Sequence, residues 1–166
     1  MGLNNPSGIK GVVKPHCLLE NGGFETGDLT GWGVYFWAPP YGTPGTATVV
    51  DTENPPEGAY CVRLWRGTGI NCGVVLNQYV ECYVPPETLY FKYKYPMSPF
   101  GQLFFVIVKD NNGNTLNDLH LQPMPNTEEW IQSDINLIES FLSPYYLYFR
   151  VMQEDEIVYI DNIQMK

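Results

Sequence analysis

Six side chains in this sequence could form a binding surface of flat rings and guanidinium forks: Tyr35, Trp37, Arg63, Trp65, Tyr148 and Arg150. Indole and phenol rings stack on flat or cationic partners, and an arginine donates paired hydrogen bonds to adjacent oxygens. Chemistry of that kind needs no nucleophile. Catalysis does, and the chain offers little for it. There are two histidines, His16 in a polar leader and His120 within Leu119-His120-Leu121, where alternation gives it a solvent-facing strand position. No Gly-x-Ser-x-Gly elbow, phosphate-cradling glycine loop or His-Glu-x-x-His pair occurs. The run Glu154-Asp155-Glu156 reads as a solvated hairpin tip. The expectation is a binding protein and not an enzyme.

A second kind of chemistry would come from carboxylates. First and last strands often pair in an antiparallel sandwich, which would bring Glu25 near Asp161. Two carboxylates converging with backbone carbonyls make an oxygen cage suited to Ca²⁺, which takes six to eight oxygen ligands. The four cysteines, Cys17, Cys61, Cys72 and Cys82, lack the two-residue gap of a zinc site. They allow three disulfide pairings, but a domain this large has core enough to hold reduced thiols, and free core cysteines are expected over bridges.

The elements that must position these residues are strands. Glycine 16, proline 14 and tyrosine 12 favour turns and β-structure. Runs rich in Val, Ile, Tyr and Phe recur at 60–65, 89–95, 103–109, 145–152 and 157–165. Residues 128–142 carry a pattern mixed between helix and strand. Alternation of Trp130, Gln132 and Asp134 against Ile131, Ser133, Ile135 and Leu137 makes a strand plus a loop the better match. Asp110-Asn111-Asn112-Gly113-Asn114 between two apolar runs predicts a hairpin. Eight to ten strands without a crossover helix predict a single all-β domain, an antiparallel β-sandwich, over residues 17–166.

Residues 1–16 stand apart, polar and turn-prone, with Ile9, Val12 and Val13 as their apolar content. They are expected to act as an arm or linker that docks onto other protein subunits. With Lys+Arg 9 against Asp+Glu 18, the net charge of −9 would repel a phosphate backbone, so nucleic acid is excluded as a partner. No apolar run approaches the roughly 20 residues that span a bilayer, so membrane insertion is not expected.

The stretch Leu-Leu-Glu-Asn-Gly-Gly-Phe-Glu-Thr-Gly-Asp-Leu-Thr-Gly-Trp at residues 18–32 resembles the opening strand and turn of carbohydrate-binding modules of the family 4/9/22 jelly-roll group, which share the galactose-binding-domain type of sandwich. Glu57-Gly58-Ala59-Tyr60 followed by an alternating strand, Gln78-Tyr79-Val80 with Leu89-Tyr90-Phe91, and Val158-Tyr159-Ile160-Asp161-Asn162-Ile163 resemble further pieces of it. In this motif Gly22 and Gly23 would permit a kinked backbone, Phe24 and Leu29 would enter the core, and Trp32 would cap one end.

The resemblance implies a structural Ca²⁺ held by the Gly23 carbonyl, the Glu25 side chain, Glu57, the Tyr60 carbonyl and Asp161. It also implies a glycan or surface polysaccharide as partner. Alternation assigns Trp32, Val34, Phe36, Tyr60, Val62 and Leu64 to the core. Tyr35, Trp37, Cys61, Arg63 and Trp65, with Tyr148 and Arg150, then fall on a second face, open either to sugar or to a neighbouring subunit of a homo-oligomer. The Trp37-Ala38-Pro39-Pro40-Tyr41 loop is a rival site. Two roles fit: a protein displayed on an extracellular or virion surface, such as a capsid or tail decoration subunit with a part in glycan attachment, or the targeting module of a secreted glycoside hydrolase or adhesin.

Overall fold

A computed structural model describes residues 17–38, 40, 42–69, 71–84, 86–97, 104–121, 129–137, 144–152 and 156–166. Among them are eleven strands and no helix, two antiparallel sheets packed face to face as a jelly roll. One sheet contains β1 (Cys17–Leu18), β2 (Gly33–Trp37), β5 (Gly73–Cys82), β7 (Phe104–Lys109), β8 (Thr115–Leu121) and β10 (Tyr145–Val151), ordered β1-β5-β10-β7-β8 with β2 also on β5. The other contains β3 (Thr46–Val50), β4 (Cys61–Trp65), β6 (Thr88–Met97), β9 (Ile131–Asn136) and β11 (Ile157–Met165), ordered β3-β4-β11-β6-β9.

Side-chain alternation decides which face each strand buries. In β5, β7 and β10 the inward set is Val74, Leu76, Val80, Phe104, Val106, Val108, Tyr145, Leu147, Phe149 and Val151, all buried. Aromatic edges link the two sheets across the core: Phe91 meets Phe149 at 5.4 Å, and Phe104 meets Tyr93 at 6.1 Å. Phe24 and Trp32 extend the cluster at one end, 5.7 Å apart and both buried, with Leu29 packed beside them. The strand expected within 128–142 is β9, with Ile135 and Leu137 buried and Gln132 and Asp134 exposed. The predicted hairpin joins β7 to β8, where Asp110 accepts the Asn112 and Asn114 backbone N–H groups at 2.9 and 2.8 Å.

Several expectations are corrected. Cys17 and Cys82 form a disulfide that ties β1 to the end of β5, while Cys61 and Cys72 are free and buried. The bridge is possible because β1 places Cys17 directly opposite Cys82 in the ladder. The first strand pairs with β5 and not with the last; the chain reaches β11 only afterwards, where Ile163 N–H donates to the Gly22 carbonyl at 2.9 Å. The backbone kink falls on Asn21 and Phe24, at φ 47° and 56°, and Gly22 serves close approach instead, since a Cβ there would lie 2.2 Å from the Ile163 oxygen. Phe36, expected in the core, is 53% exposed, because β2 is an outer strand bonded only to β5. Cys61, expected on an outer face, is buried, because the loop between β3 and β4 folds over that end of its sheet. That loop is anchored by Glu53, which pairs with Lys94 at 3.0 Å, and by Trp130, whose indole N–H donates to the Asn54 carbonyl at 3.0 Å. Glu156 is buried, its carbonyl accepting the Arg66 N–H at 3.2 Å, so the acidic run is not wholly a solvated tip. Glu154, Asp155, His16 and the arm at residues 1–16 lie outside the described residues, as do Pro39 and Tyr41 of the rival loop.

Candidate functional site

The outer face of the six-stranded sheet carries the side chains that alternate against its core set. Register aligns them in rows across the strands. One row runs Tyr35, Val75, Arg150, Phe105, His120; the next runs Asn77, Tyr148, Ile107, Asp118; a third brings Tyr79, Tyr146 and Lys109 together. Trp37 completes the first corner, directly opposite Gly73. Because Gly73 has no side chain, the Trp37 indole lies across the backbone of β5; a Cβ at Gly73 would fall 2.1 Å from Cζ2 of the ring.

Cations are threaded among these rings. The Arg150 guanidinium lies 5.1 Å from the Trp37 centroid and 5.9 Å from that of Phe105, and Lys109 Nζ lies 5.7 Å from the Tyr148 centroid. Tyr79 and Tyr146 meet edge to face at 5.4 Å. Together Tyr35, Trp37, Val75, Ile107, Lys109, Tyr148 and Arg150 line a groove of about 320 Å³. Its walls are mostly apolar, and its charged groups, Lys109 and Arg150, are donors. His120 stands at the margin, exposed as expected, with Nε2 3.2 Å from Asp118 Oδ1 and its ring 4.6 Å from that of Phe105.

Of the six aromatic and arginine candidates, the structure therefore brings Tyr35, Trp37, Tyr148 and Arg150 together. Arg63 and Trp65 are not with them. They lie on β4 in the other sheet, where Arg63 is opposite Tyr159 and Trp65 opposite Ile157. Alternation assigns a side chain to a face of its own strand, but it does not say which sheet the strand joins. Lys109, Ile107, Val75 and Gly73 were missed. Alternation within 104–109 would have flagged Ile107 and Lys109, and an isolated glycine opening a long strand run is a recognised sign of close backbone approach.

The other sheet has a polar depression of about 260 Å³ lined by residues including Glu57, Tyr90, Lys92, Gln132, Asn162 and Gln164. Its amides are engaged with their neighbours: Asn162 Nδ2 donates to Glu57 Oε1 at 2.6 Å, Gln132 Nε2 donates to Asp134 Oδ1 at 3.0 Å, and Gln164 donates to Asn162. Its lining combines the lysines Lys92 and Lys166 with the Glu57 carboxylate, whereas the groove has no carboxylate in its lining.

Three carboxylates gather where residues 20–25, the loop before β4 and β11 meet. A Cβ at Gly23 would lie 3.7 Å from Glu25 Cγ and 3.8 Å from Asp161 Oδ1. Glu25 accepts the backbone N–H groups of Ala59 and Tyr60 at 3.0 and 3.2 Å. Asp161 is wholly buried and accepts the Asn162 N–H at 2.7 Å. Burial pushes its pKa up to about 6; the Asn162 and Glu57 N–H groups oppose the shift, and Glu25 and Glu57 add to it. Among the described residues the Lys94–Glu53 ion pair and the His120–Asp118 contact involve none of these three carboxylates. A buried carboxylate flanked by two others suits a hard cation electrostatically. Among the described residues, however, no three His, Cys, Asp or Glu side chains are disposed as a ready ligand set, so carbonyls would have to complete any coordination.

No protein-family model and no curated protein matches the chain. Solved structures do. A family 61 carbohydrate-binding module, TmCBM61, in complex with β-1,4-galactotriose, is similar over 92% of this chain and 98% of its own, with TM-score 0.69 and 21% identity. A family 16 carbohydrate-binding module is similar over 90% and 99%, with TM-score 0.56 and 22% identity. The enzymatically active domain of bacteriophage CBA120 tailspike protein 4 is similar over 88% of this chain but 20% of its own, with TM-score 0.65 and 12% identity. At such identities the likeness establishes a fold, the β-sandwich jelly roll of carbohydrate-binding modules.

Proposed function

We propose that this jelly roll is a non-catalytic glycan-binding module whose oligosaccharide lies along the outer face of the six-stranded sheet. The observation that carries the reading is the groove of Tyr35, Trp37, Tyr148, Arg150 and Lys109. A pyranose has an apolar C–H face and a rim of hydroxyls. Trp37 and Tyr148 offer the ring surface for the first, and Arg150 and Lys109 the donors for the second. The sheet holds these groups on a rigid scaffold, so little ordering entropy is lost when a sugar settles. The galactotriose complex of TmCBM61, on a similar sandwich, supports an oligosaccharide as the ligand class. Titration calorimetry against a polysaccharide panel that includes β-1,4-galactan tests the proposal: binding lost in Trp37→Ala supports it, and no binding to any glycan rejects it.

Display outside the cell or on a virion is the setting we favour. The Cys17–Cys82 bridge supports it, because disulfides persist in oxidising surroundings, and the tailspike likeness is consistent with it. A targeting module of a secreted glycoside hydrolase or adhesin would present the same groove. A structural Ca²⁺ at Glu25, Glu57 and Asp161, completed by the Gly23 and Tyr60 carbonyls, belongs to the same proposal. It would neutralise the buried carboxylates and pin the loop before β4 to β11, with no part in sugar recognition.

A further inference from the structure

The charges of the groove run against those of the molecule. The chain carries Asp+Glu 18 against Lys+Arg 9, yet the charged groups lining the groove are Lys109 and Arg150. Neither makes an ion pair with a carboxylate among the described residues. The acid that follows Lys109 in sequence, Asp110, is committed to its turn, accepting Asn112 N–H, Asn114 N–H and Asn114 Nδ2 at 2.8 to 2.9 Å. Arg150 Nε is shielded from solvent with no hydrogen-bond acceptor, its guanidinium held between the Trp37 and Phe105 rings. The outward carboxylates of this sheet stand at its margins, Glu81 within 3.4 Å of the Tyr79 hydroxyl and Asp118 at the end of the Tyr148 row on the outermost strand β8, against His120.

Resting on the glycan reading above, we infer that the groove selects an acidic oligosaccharide, a run of uronate sugars, over neutral ones. Arg150 pairs with Phe105, and Lys109 stands four residues farther along β7, its Nζ 5.7 Å from the ring of Tyr148 in the row between them. The two cations flank the Tyr148 row, so a chain of uronates laid along the groove meets a cation on each side of that ring. The planar guanidinium matches a carboxylate in two-point contact, and the ammonium of Lys109 acts as a point charge. In a protein of net charge −9 an acidic ligand gains nothing from the overall field, so its preference for this groove would rest on Lys109 and Arg150, in a lining that contains no carboxylate.

The test uses the full chain, a glycan array of neutral and uronate-containing oligosaccharides, and titration calorimetry with one oligogalacturonate as free acid and as methyl ester. The ester keeps the ring faces and the hydroxyls and removes the charge. The free acid is expected to bind at least about ten-fold more tightly at low salt, with the gap closing as salt rises. Lys109→Gln and Arg150→Gln should each shrink that gap, while Lys92→Gln on the opposite sheet should not. Near-UV circular dichroism checks that the variants keep the native fold. Array binding confined to neutral glycans, or equal affinity for acid and ester, overturns the carboxylate selection and leaves the glycan reading standing. An acid preference that survives in both groove variants overturns this assignment of the charges. Absence of binding to every glycan overturns both.

Discussion

The Trp37 indole lies across Gly73 on the neighbouring strand, where an added Cβ would fall 2.1 Å from ring carbon Cζ2, and carries the Arg150 guanidinium 5.1 Å from its centroid. The glycine is thus part of the groove although it contributes no side chain. Gly73→Ala should push the indole off the sheet and release Arg150 with it. Glycan affinity is expected to fall at least about five-fold, ~1 kcal/mol, with near-UV circular dichroism reporting the altered Trp37 environment. Unchanged affinity would mean that the indole is not a sugar platform.

Alanine in place of single aromatics separates the two sheets. Trp37→Ala and Tyr148→Ala should weaken glycan binding about ten-fold or more, since anchors of this kind contribute of order 2 kcal/mol. Trp65→Ala, on the opposite sheet, should leave affinity within error. Affinity electrophoresis in polysaccharide gels suffices to rank them, and a loss on Trp65→Ala would move the site.

Asp161 should make stability fall as pH rises through mildly acidic values. Its folded pKa of about 6 lies above the 3.8 of an exposed aspartate. The folded chain therefore holds a proton that the unfolded chain has lost between these values, and above about pH 6 the buried charge costs up to about 3 kcal/mol. In chelator, the melting temperature should drop between pH 4 and pH 7 in the wild type, and that slope should flatten in Asp161→Asn. Added Ca²⁺ should raise the wild-type melting temperature at pH 7 and leave Asp161→Asn nearly unmoved. A wild type indifferent to Ca²⁺ removes the proposed ion.

Thiol counting checks the cysteine assignment. The native protein should expose no reactive thiol, because Cys61 and Cys72 are buried and burial pushes the Cys61 pKa up to about 12. Denaturant alone should reveal two thiols, and denaturant with reductant all four cysteines. Reduction should lower the melting temperature, since a bridge closing 65 residues stabilises by at most about 4 kcal/mol in the loop-entropy picture. Four thiols in denaturant without reductant would contradict the bridge.

Several of the strands were legible residue by residue, though β3 (Thr46–Val50) was not among them. Alternation at 104–109 and 145–151, the Asp110 turn and the Phe24 and Trp32 core pair all follow from local chemistry, because a strand's period of two and a turn's hydrogen bonds are settled by neighbours in the chain. The likeness of residues 18–32 to a carbohydrate-binding jelly roll was visible for the same reason. The exposure of Phe36, the burial of Cys61 and Glu156, and the pairing of Cys17 with Cys82 depend on what another strand or loop places above them.

The candidate groove divides along the same line. The sequence by itself determined that Tyr35, Trp37, Tyr148 and Arg150 leave the core face of their strands, since each alternates with an inward residue. Only the tertiary structure decided that β2 and β10 lie on either side of β5 while β4 belongs to the other sheet, which gathers those four with Lys109 and sends Arg63 and Trp65 elsewhere. Sheet membership is set by long-range backbone pairing, whose free energy depends on how whole strands bury their inner faces together and not on the residue type at any one position.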